Sequence, residues 1–225
     1  MTFSIAGRCP DTGQFGIAIS SSSIAVGARC PWLLPGVGAV STQNITLPSL
    51  GPETLALMEQ GLTPAEALDK VLTRNGYSQY RQITAIDHLG RTAHFSGAQT
   101  LGNHNAVSGE QCVAAGNMLA SPVVIETMVR AFEQAEGQLA DRLLAAMQGG
   151  VAAGGEAGPV HSAAVMVVGE LTWPIVNLRV DWADEDPIGQ LQKLWQAYRP
   201  QVQDYIDRAL APDRSPGYGV AGDDR

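Results

Sequence analysis

The chain has 225 residues, 45% of them hydrophobic and 16% charged, with a formal net charge of −8 and a pI near 4.9. A chain of this length can bury a sizeable core without staples. Its 14 Lys and Arg against 22 Asp and Glu argue against a nucleic-acid partner and against an anionic membrane surface. With no leader-like segment and no run of eighteen apolar residues, a cytoplasmic protein is expected. Cys9, Cys30 and Cys112 are odd in number, widely spaced and without a CxxC pair, which predicts reduced, buried thiols.

Residues 2–8 (TFSIAGR) and 14–21 (QFGIAISS) read as a β-hairpin around the turn residues Pro10-Asp11-Thr12-Gly13, and 36–43 as a third strand after a proline-bounded loop. The period then changes. Residues 53–60 and 65–74 repeat apolar positions at three- and four-residue spacing, with Gly61 ending the first helix and Thr63-Pro64 capping the second. Strands are expected at 81–87, 91–96 and 111–116, helices at 122–136 and 138–148, a second apolar hairpin at 161–168 and 175–181, and one closing helix over 186–210. The predicted organisation is a single domain over 1–211 with a flexible tail over 212–225. Strands at both ends with two helical pairs between predict an α+β, four-layered α/β/β/α sandwich of two mainly antiparallel sheets.

Thr2 is the first chemical candidate. Thr is small enough for methionine to be trimmed before it, which would expose an α-amino group beside a hydroxyl. Near neutral pH that amine, with a reference pKa of about 7.7–8.0, can accept the hydroxyl proton, so one residue supplies nucleophile and base. Placement at a strand start would hold both groups rigidly. The four histidines, His88, His94, His104 and His161, show neither HxH nor HExxH spacing, so no metal and no cofactor are expected. Gly36-Val37-Gly38 opens a strand instead of following one, which argues against a dinucleotide site, and no GxSxG elbow is present.

The segments TFSIAGRCPDTG, GIAISSSSIAVGARCPW, GVGAVSTQ with PSLGP, YRQITAID, AAGNMLASP, AAGGE, HSAAVMVV and LRVDWADEDPIGQL run in the order and spacing of a known family. In them the chain resembles the domain-of-unknown-function 1028 (DUF1028) family, with a fold of the N-terminal nucleophile (Ntn) hydrolase type. The resemblance implies the four-layered architecture and, for the fold at large, a Thr or Ser nucleophile. It departs from the family pattern in two places. Ser20-Ser21-Ser22 stands where Ala-Ser-Arg is usual, and Pro159-Val160-His161-Ser162 where Gly-Lys-Gln-Ser is usual, so two expected cations are missing.

Carried over residue by residue, the resemblance places Ser21 beside the nucleophile, able to bond its amine, or as turn filler. Gln43 with Asn44 is placed to donate to a substrate carbonyl or oxyanion, or else to tie down the loop before Pro48. Asn117, after Gly116, is a second oxyanion candidate or a helix-entry residue. Asp181 is expected either to orient the amine as a buried carboxylate or to cap a turn. Arg81 is placed to hold an anionic substrate group or to form a surface ion pair, and His161 to contact substrate.

These residues predict an amidohydrolase cleaving a non-peptide C–N bond of a small metabolite, neutral or cationic given the acidic surface. The alternative is a catalytically silent binding or assembly protein on the same fold. Ser21, His161 or a cysteine as nucleophile is a third possibility. A homo-oligomer is compatible with either.

Overall fold

The computed structural model describes residues 1–223. Strands β1 (Thr2–Arg8) and β2 (Phe15–Ser21) form the N-terminal hairpin, closed by a turn in which Cys9 N–H donates to Gln14 O at 2.9 Å. They are joined in a six-stranded antiparallel sheet by β7 (Asn105–Gly109), β8 (Cys112–Asn117), β9 (Ser162–Val168) and β10 (Val176–Val180), in the order β10-β9-β2-β1-β8-β7. A four-stranded antiparallel sheet of β3 (Pro31–Leu34), β4 (Gly38–Asn44), β5 (Arg81–Asp87) and β6 (Thr92–Ser96) stacks on its face.

The two-residue period of β1 decides the layering. Ala6 joins Ile17, Ile19, Ala39, Ile86 and Val113 in an apolar cluster between the sheets, so Thr2 and Ser4 point the same way. Phe3 and Ile5 point outward, onto helices α3 (Val123–Gln134) and α4 (Leu139–Ala152). Phe3 is fully buried there, and truncating it to Ala would cost about 3–5 kcal/mol. Helix α5 (Pro187–Tyr198) covers β9 and β10. On the other side α1 (Leu50–Glu59) and α2 (Pro64–Arg74) bury Leu55, Leu68 and Val71 against Val40 and Ile83. The result is four layers, as the order of strand and helix signals predicts.

Local chemistry fixes several boundaries. Thr63 and Glu66 form a reciprocal capping box at the start of α2, with Thr63 N–H donating to Glu66 Oε2 at 2.8 Å. Asp186 accepts from Gly189 N–H at 2.9 Å and caps α5. The single closing helix expected over 186–210 is instead broken. Pro200 has no N–H and its ring obstructs the preceding turn, so α5 ends at Tyr198, a 3-10 turn spans Arg199–Gln201, and α6 runs Val202–Leu210.

Edge strands β3 and β7 add to the predicted set. Pro31 opens β3 at a sheet edge, the place where a missing N–H costs no ladder bond. The segment expected to be a tail folds back on α6 in its described part. Arg208 donates to Pro216 O and Gly217 O at 2.9 Å each and stacks over Tyr218 at 4.2 Å. Residues 224 and 225 of that segment lie outside the described residues. No helix among the described residues is long and apolar enough to cross a membrane.

Candidate active site at the head of the central strand

One row of residues crosses the larger sheet at the end where β1 begins. Thr2 is paired in register with Ser21 of β2 on one side and Asn117 of β8 on the other, and Ser21 is paired with Ser162 of β9. Cross-strand partners share a face, so all four side chains point into the space between the sheets. All four are buried. Toward the far end that space is filled by the apolar cluster, and toward this end by hydroxyls and amides.

Thr2 Oγ1 donates to Met1 O at 2.6 Å, and Ser21 Oγ donates to the same oxygen at 2.6 Å. The two hydroxyl oxygens stand 3.1 Å apart. The direction of the surrounding bonds follows from a group that can only donate. Arg29 Nη2 donates to Ser23 Oγ at 2.6 Å, so the Ser23 hydroxyl hydrogen is free for Ser21 Oγ at 2.9 Å, and the Ser21 hydrogen in turn for Met1 O. Backbone N–H of Ser23 adds a second donor to Ser21 Oγ at 3.1 Å. Ser162 Oγ pins this loop by donating to Ser23 O at 2.6 Å and accepting from Val26 N–H at 3.2 Å. A guanidinium thus polarises, through two hydroxyls, the donor aimed at a carbonyl oxygen.

The two oxyanion candidates on the amide side are placed differently from expectation. Gln43 lies between the sheets, but its Nε2 donates to Gln82 Oε1 at 2.8 Å and Ala115 O at 3.2 Å, while its Oε1 accepts from Ser4 Oγ at 2.6 Å. Both N–H bonds are spent, so Gln43 braces the two sheets and has no donor left for an oxyanion. Asn117 Nδ2 donates to Gln82 Oε1 at 3.0 Å; its buried Oδ1 has no hydrogen-bond partner and, as the register partner of Thr2, stands on the site's face. It offers the site an acceptor rather than the expected donor.

Asn44 ties the loop, the other role open to it: Nδ2 donates to Tyr80 O at 2.6 Å and Oδ1 accepts from Leu101 N–H at 3.3 Å. Arg81 lies on the face of β5 opposite Gln82 and donates to Ile45 O, so it neither forms a surface ion pair nor faces Thr2. Asp181 is not a buried carboxylate. It follows β10, three strands from β1, its side chain is 48% exposed, and it pairs with Arg179 at 2.7 Å. That ion pair holds its carboxyl below the usual range. His161 lies closer. Its N–H donates to Ser21 O at 2.9 Å, its ring stacks on Trp182 at 4.3 Å, and its Nδ1 bonds Ala183 O.

Sequence reasoning missed Ser23, Arg29 and Glu156. The loop after α4 turns through Gly154 and Gly155, both at positive φ, and then bridges Glu156 to Leu119. Those turns carry Glu156 inward. It is 92% buried by its 8% exposure, and neither carboxyl oxygen has a hydrogen bond of ordinary geometry. Burial pushes its pKa up to about 8, against the opposing pull of the Met1 ammonium and the Ser22 N–H. Burial in turn lowers the Met1 amine, with Glu156 opposing. The Gly-Gly-acid signal was visible in AAGGE, but its inward turn was not.

The cysteines take no part. Cys9 sits at the far end of the β1–β2 hairpin, and burial raises the Cys30 thiol and pushes that of Cys112 up to about 12. A cleft of about 230 Å³ lined by Leu139, Val176, Trp195 and Val202 lies on the helical face of the larger sheet, away from Thr2. Its one charged lining residue, Arg199, is paired with Asp141 at 3.3 Å.

Fold and site together define an α+β protein of two stacked antiparallel sheets with a threonine-serine cluster at the head of the central strand. The match to DUF1028, a family of unknown function, spans residues 2–191, and the chain belongs to that family. Protein SPO2555 from Silicibacter pomeroyi, of the same family, is 32% identical and superposes with a TM-score of 0.85 over 91% of this chain and 89% of its own. Anbu (ancestral beta-subunit) from Yersinia bercovieri aligns over 97% of this chain and 100% of its own at a TM-score of 0.42 and 10% identity. Anbu from Hyphomicrobium sp. strain MC1 gives 0.41 and 10% over the same shares. Both likenesses are too weak to bear on function. No curated protein matches the chain.

Proposed function

We propose that this protein is an Ntn-type hydrolase that cleaves the C–N bond of a small amide, with Thr2 as nucleophile once Met1 is removed. The observation that carries the reading is the Met1 carbonyl. It already receives the Thr2 and Ser21 hydroxyls at 2.6 Å each, so a nucleophilic oxygen, an acyl carbonyl and a second polarised donor stand together. In the reaction the Thr2 amine takes the hydroxyl proton, Oγ1 bonds the substrate carbonyl carbon, and Ser21 supports the developing oxyanion. Collapse expels the leaving amine, which receives that proton. Water then hydrolyses the ester and frees Thr2.

The second reading, a silent binding or assembly protein, draws on one observation: with Met1 in place, Thr2 is 7% exposed and has no free amine. Intact mass decides between them. A chain one methionine lighter, acquiring a covalent adduct from an amide-mimicking electrophile that Thr2→Ala abolishes, supports the hydrolase. A retained methionine with no adduct sinks it.

A further inference from the structure

The Met1–Thr2 peptide bond and an ester between a methionyl group and Thr2 Oγ1 are isomers. They differ only in whether the acyl carbon is bonded to the nitrogen or to the hydroxyl oxygen of the same residue. The place Met1 occupies therefore marks where the acyl half of a substrate would lie in the acyl-enzyme.

Each part of Met1 meets a distinct surface. Its carbonyl oxygen accepts from Ser21 Oγ at 2.6 Å. Its ammonium donates to Ser22 Oγ at 3.2 Å and lies within electrostatic reach of the Glu156 carboxyl. Its thioether end lies against Gly158, where an added Cβ would come within 2.7 Å of the Met1 methyl carbon. Glu156 itself has two buried oxygens without a hydrogen bond of ordinary geometry. A buried carboxyl in that state costs stability, and an arriving ammonium that shares it would recover the loss. Ser22 contributes a neutral hydroxyl, so it sets no cation against that ammonium.

We propose that the volume held by Met1 is the acyl subsite of the reaction proposed above and that it takes α-amino acyl amides. The Glu156 carboxyl and Ser22 hydroxyl receive the substrate ammonium, Ser21 holds the carbonyl, and the floor at Gly158 admits an unbranched side chain. The inference rests on the hydrolase reading for its chemistry but not for its binding site. The Oγ1–C bond forms as the amide C–N bond breaks, and the Thr2 amine passes the hydroxyl proton to the leaving amine. Water releases the amino acid.

The test uses the full chain released from a cleavable fusion so that Thr2 comes first. L-Methioninamide and its deamino analogue, 4-(methylthio)butanamide, are compared as substrates. Methioninol, which has no carbonyl to attack, is titrated into the Thr2→Ala form. Glu156→Gln, a neutral isostere, should lower kcat/KM for methioninamide by about 30-fold, the loss for one partner of the charge pair that Glu156 and the bound ammonium form, and affect the deamino amide far less. It should weaken methioninol binding by a similar factor. Gly158→Val should reject methioninamide more strongly than glycinamide. Equal hydrolysis of both amides, with methioninol binding indifferent to Glu156→Gln, overturns the subsite and leaves the hydrolase standing. Glu156-dependent methioninol binding without any hydrolysis upholds the subsite and overturns the hydrolase. Absence of both hydrolysis and binding overturns both.

Discussion

Gln43 Nε2 donates to Gln82 Oε1 at 2.8 Å, joining neighbouring strands of the smaller sheet with amides that also reach across to the larger one. Gln82 then receives Asn117 Nδ2 at 3.0 Å and donates to Gly116 O at 3.0 Å, while Gln43 holds Ser4 and Ala115. Two side-chain amides thus clamp both central strands next to Thr2. Gln82→Met keeps the shape but removes the acceptor shared by Gln43 and Asn117 and the side-chain donor to Gly116 O. Urea unfolding should show a loss of about 2–4 kcal/mol, summed from about 1–3 kcal/mol per stranded buried group with partial relaxation. A loss below 1 kcal/mol would mean that the clamp does not matter.

Ser21→Ala removes the polarised donor on the acyl oxygen. In the Thr2-dependent reaction proposed above kcat should fall about 10²–10³-fold, the usual cost of one oxyanion donor. Arg29 reaches Ser21 through Ser23 and otherwise holds the Ile24 and Ala25 carbonyls, so the effect of Arg29→Met on kcat should be smaller, with the folded state retained by circular dichroism. An Arg29 effect equal to that of Ser21 would place the guanidinium in direct contact with substrate.

Glu156 gives the protein a signed pH dependence. Its carboxyl is raised from 4.5 to about 8 in the fold, so the native state holds a proton that the unfolded chain has released across that interval. Its stabilising contribution is full below about pH 4.5 and is lost as pH rises through about 8. Glu156→Gln cannot ionise. The difference in unfolding free energy between variant and parent should be near zero at pH 4.5 and favour the variant increasingly toward pH 9, by up to a few kcal/mol. The Met1 amine, lowered by burial, contributes with the opposite slope in both proteins and largely cancels in the difference.

Thiol labelling should separate the cysteines. Cys30 and Cys112 are buried with raised thiols, whereas Cys9 is part-exposed and its thiol is lowered. For Cys9, burial acts upward and is outweighed by hydrogen bonds from Thr12 and Asp11. Alkylation at neutral pH should modify Cys9 alone, and all three after unfolding. Labelling of Cys112 in the folded protein would contradict its burial.

The stacking of sheets and helices was legible in the order of strand and helix signals, and the alternation of Thr, Ser and Ala with Phe and Ile in β1 sets which face meets which layer. The interruption at Pro200 was equally local and went unread within a long amphipathic stretch. Site roles were harder. Nothing near Gln43 in sequence reveals that its amide is spent on Ser4, Gln82 and Ala115, and nothing near Asp181 reveals that Arg179, two residues away, claims it at the surface. Ser21 was set beside Thr2 by the family resemblance, and the hairpin register pairs the two. Its link to Arg29 depended on the loop between β2 and β3, whose path no period encodes.

β1 is the first strand to leave the ribosome and among the last to be completed. Its register partner on one side, Asn117, lies over a hundred residues downstream, and Ser162 of β9 must follow before β2 is flanked. At translation rates of about 5–20 residues per second β2 can pair with β1 early, but the β8 side of β1 stays open for on the order of ten seconds. For the Met1 removal proposed above, that delay is the interval in which an aminopeptidase has access. Once the sheet closes, Met1 is held by Ser21, Ser22 and Thr2. Under that proposal the order of synthesis is part of maturation, and chain refolded from denaturant with Met1 still attached would reach the same fold with its Thr2 amine capped.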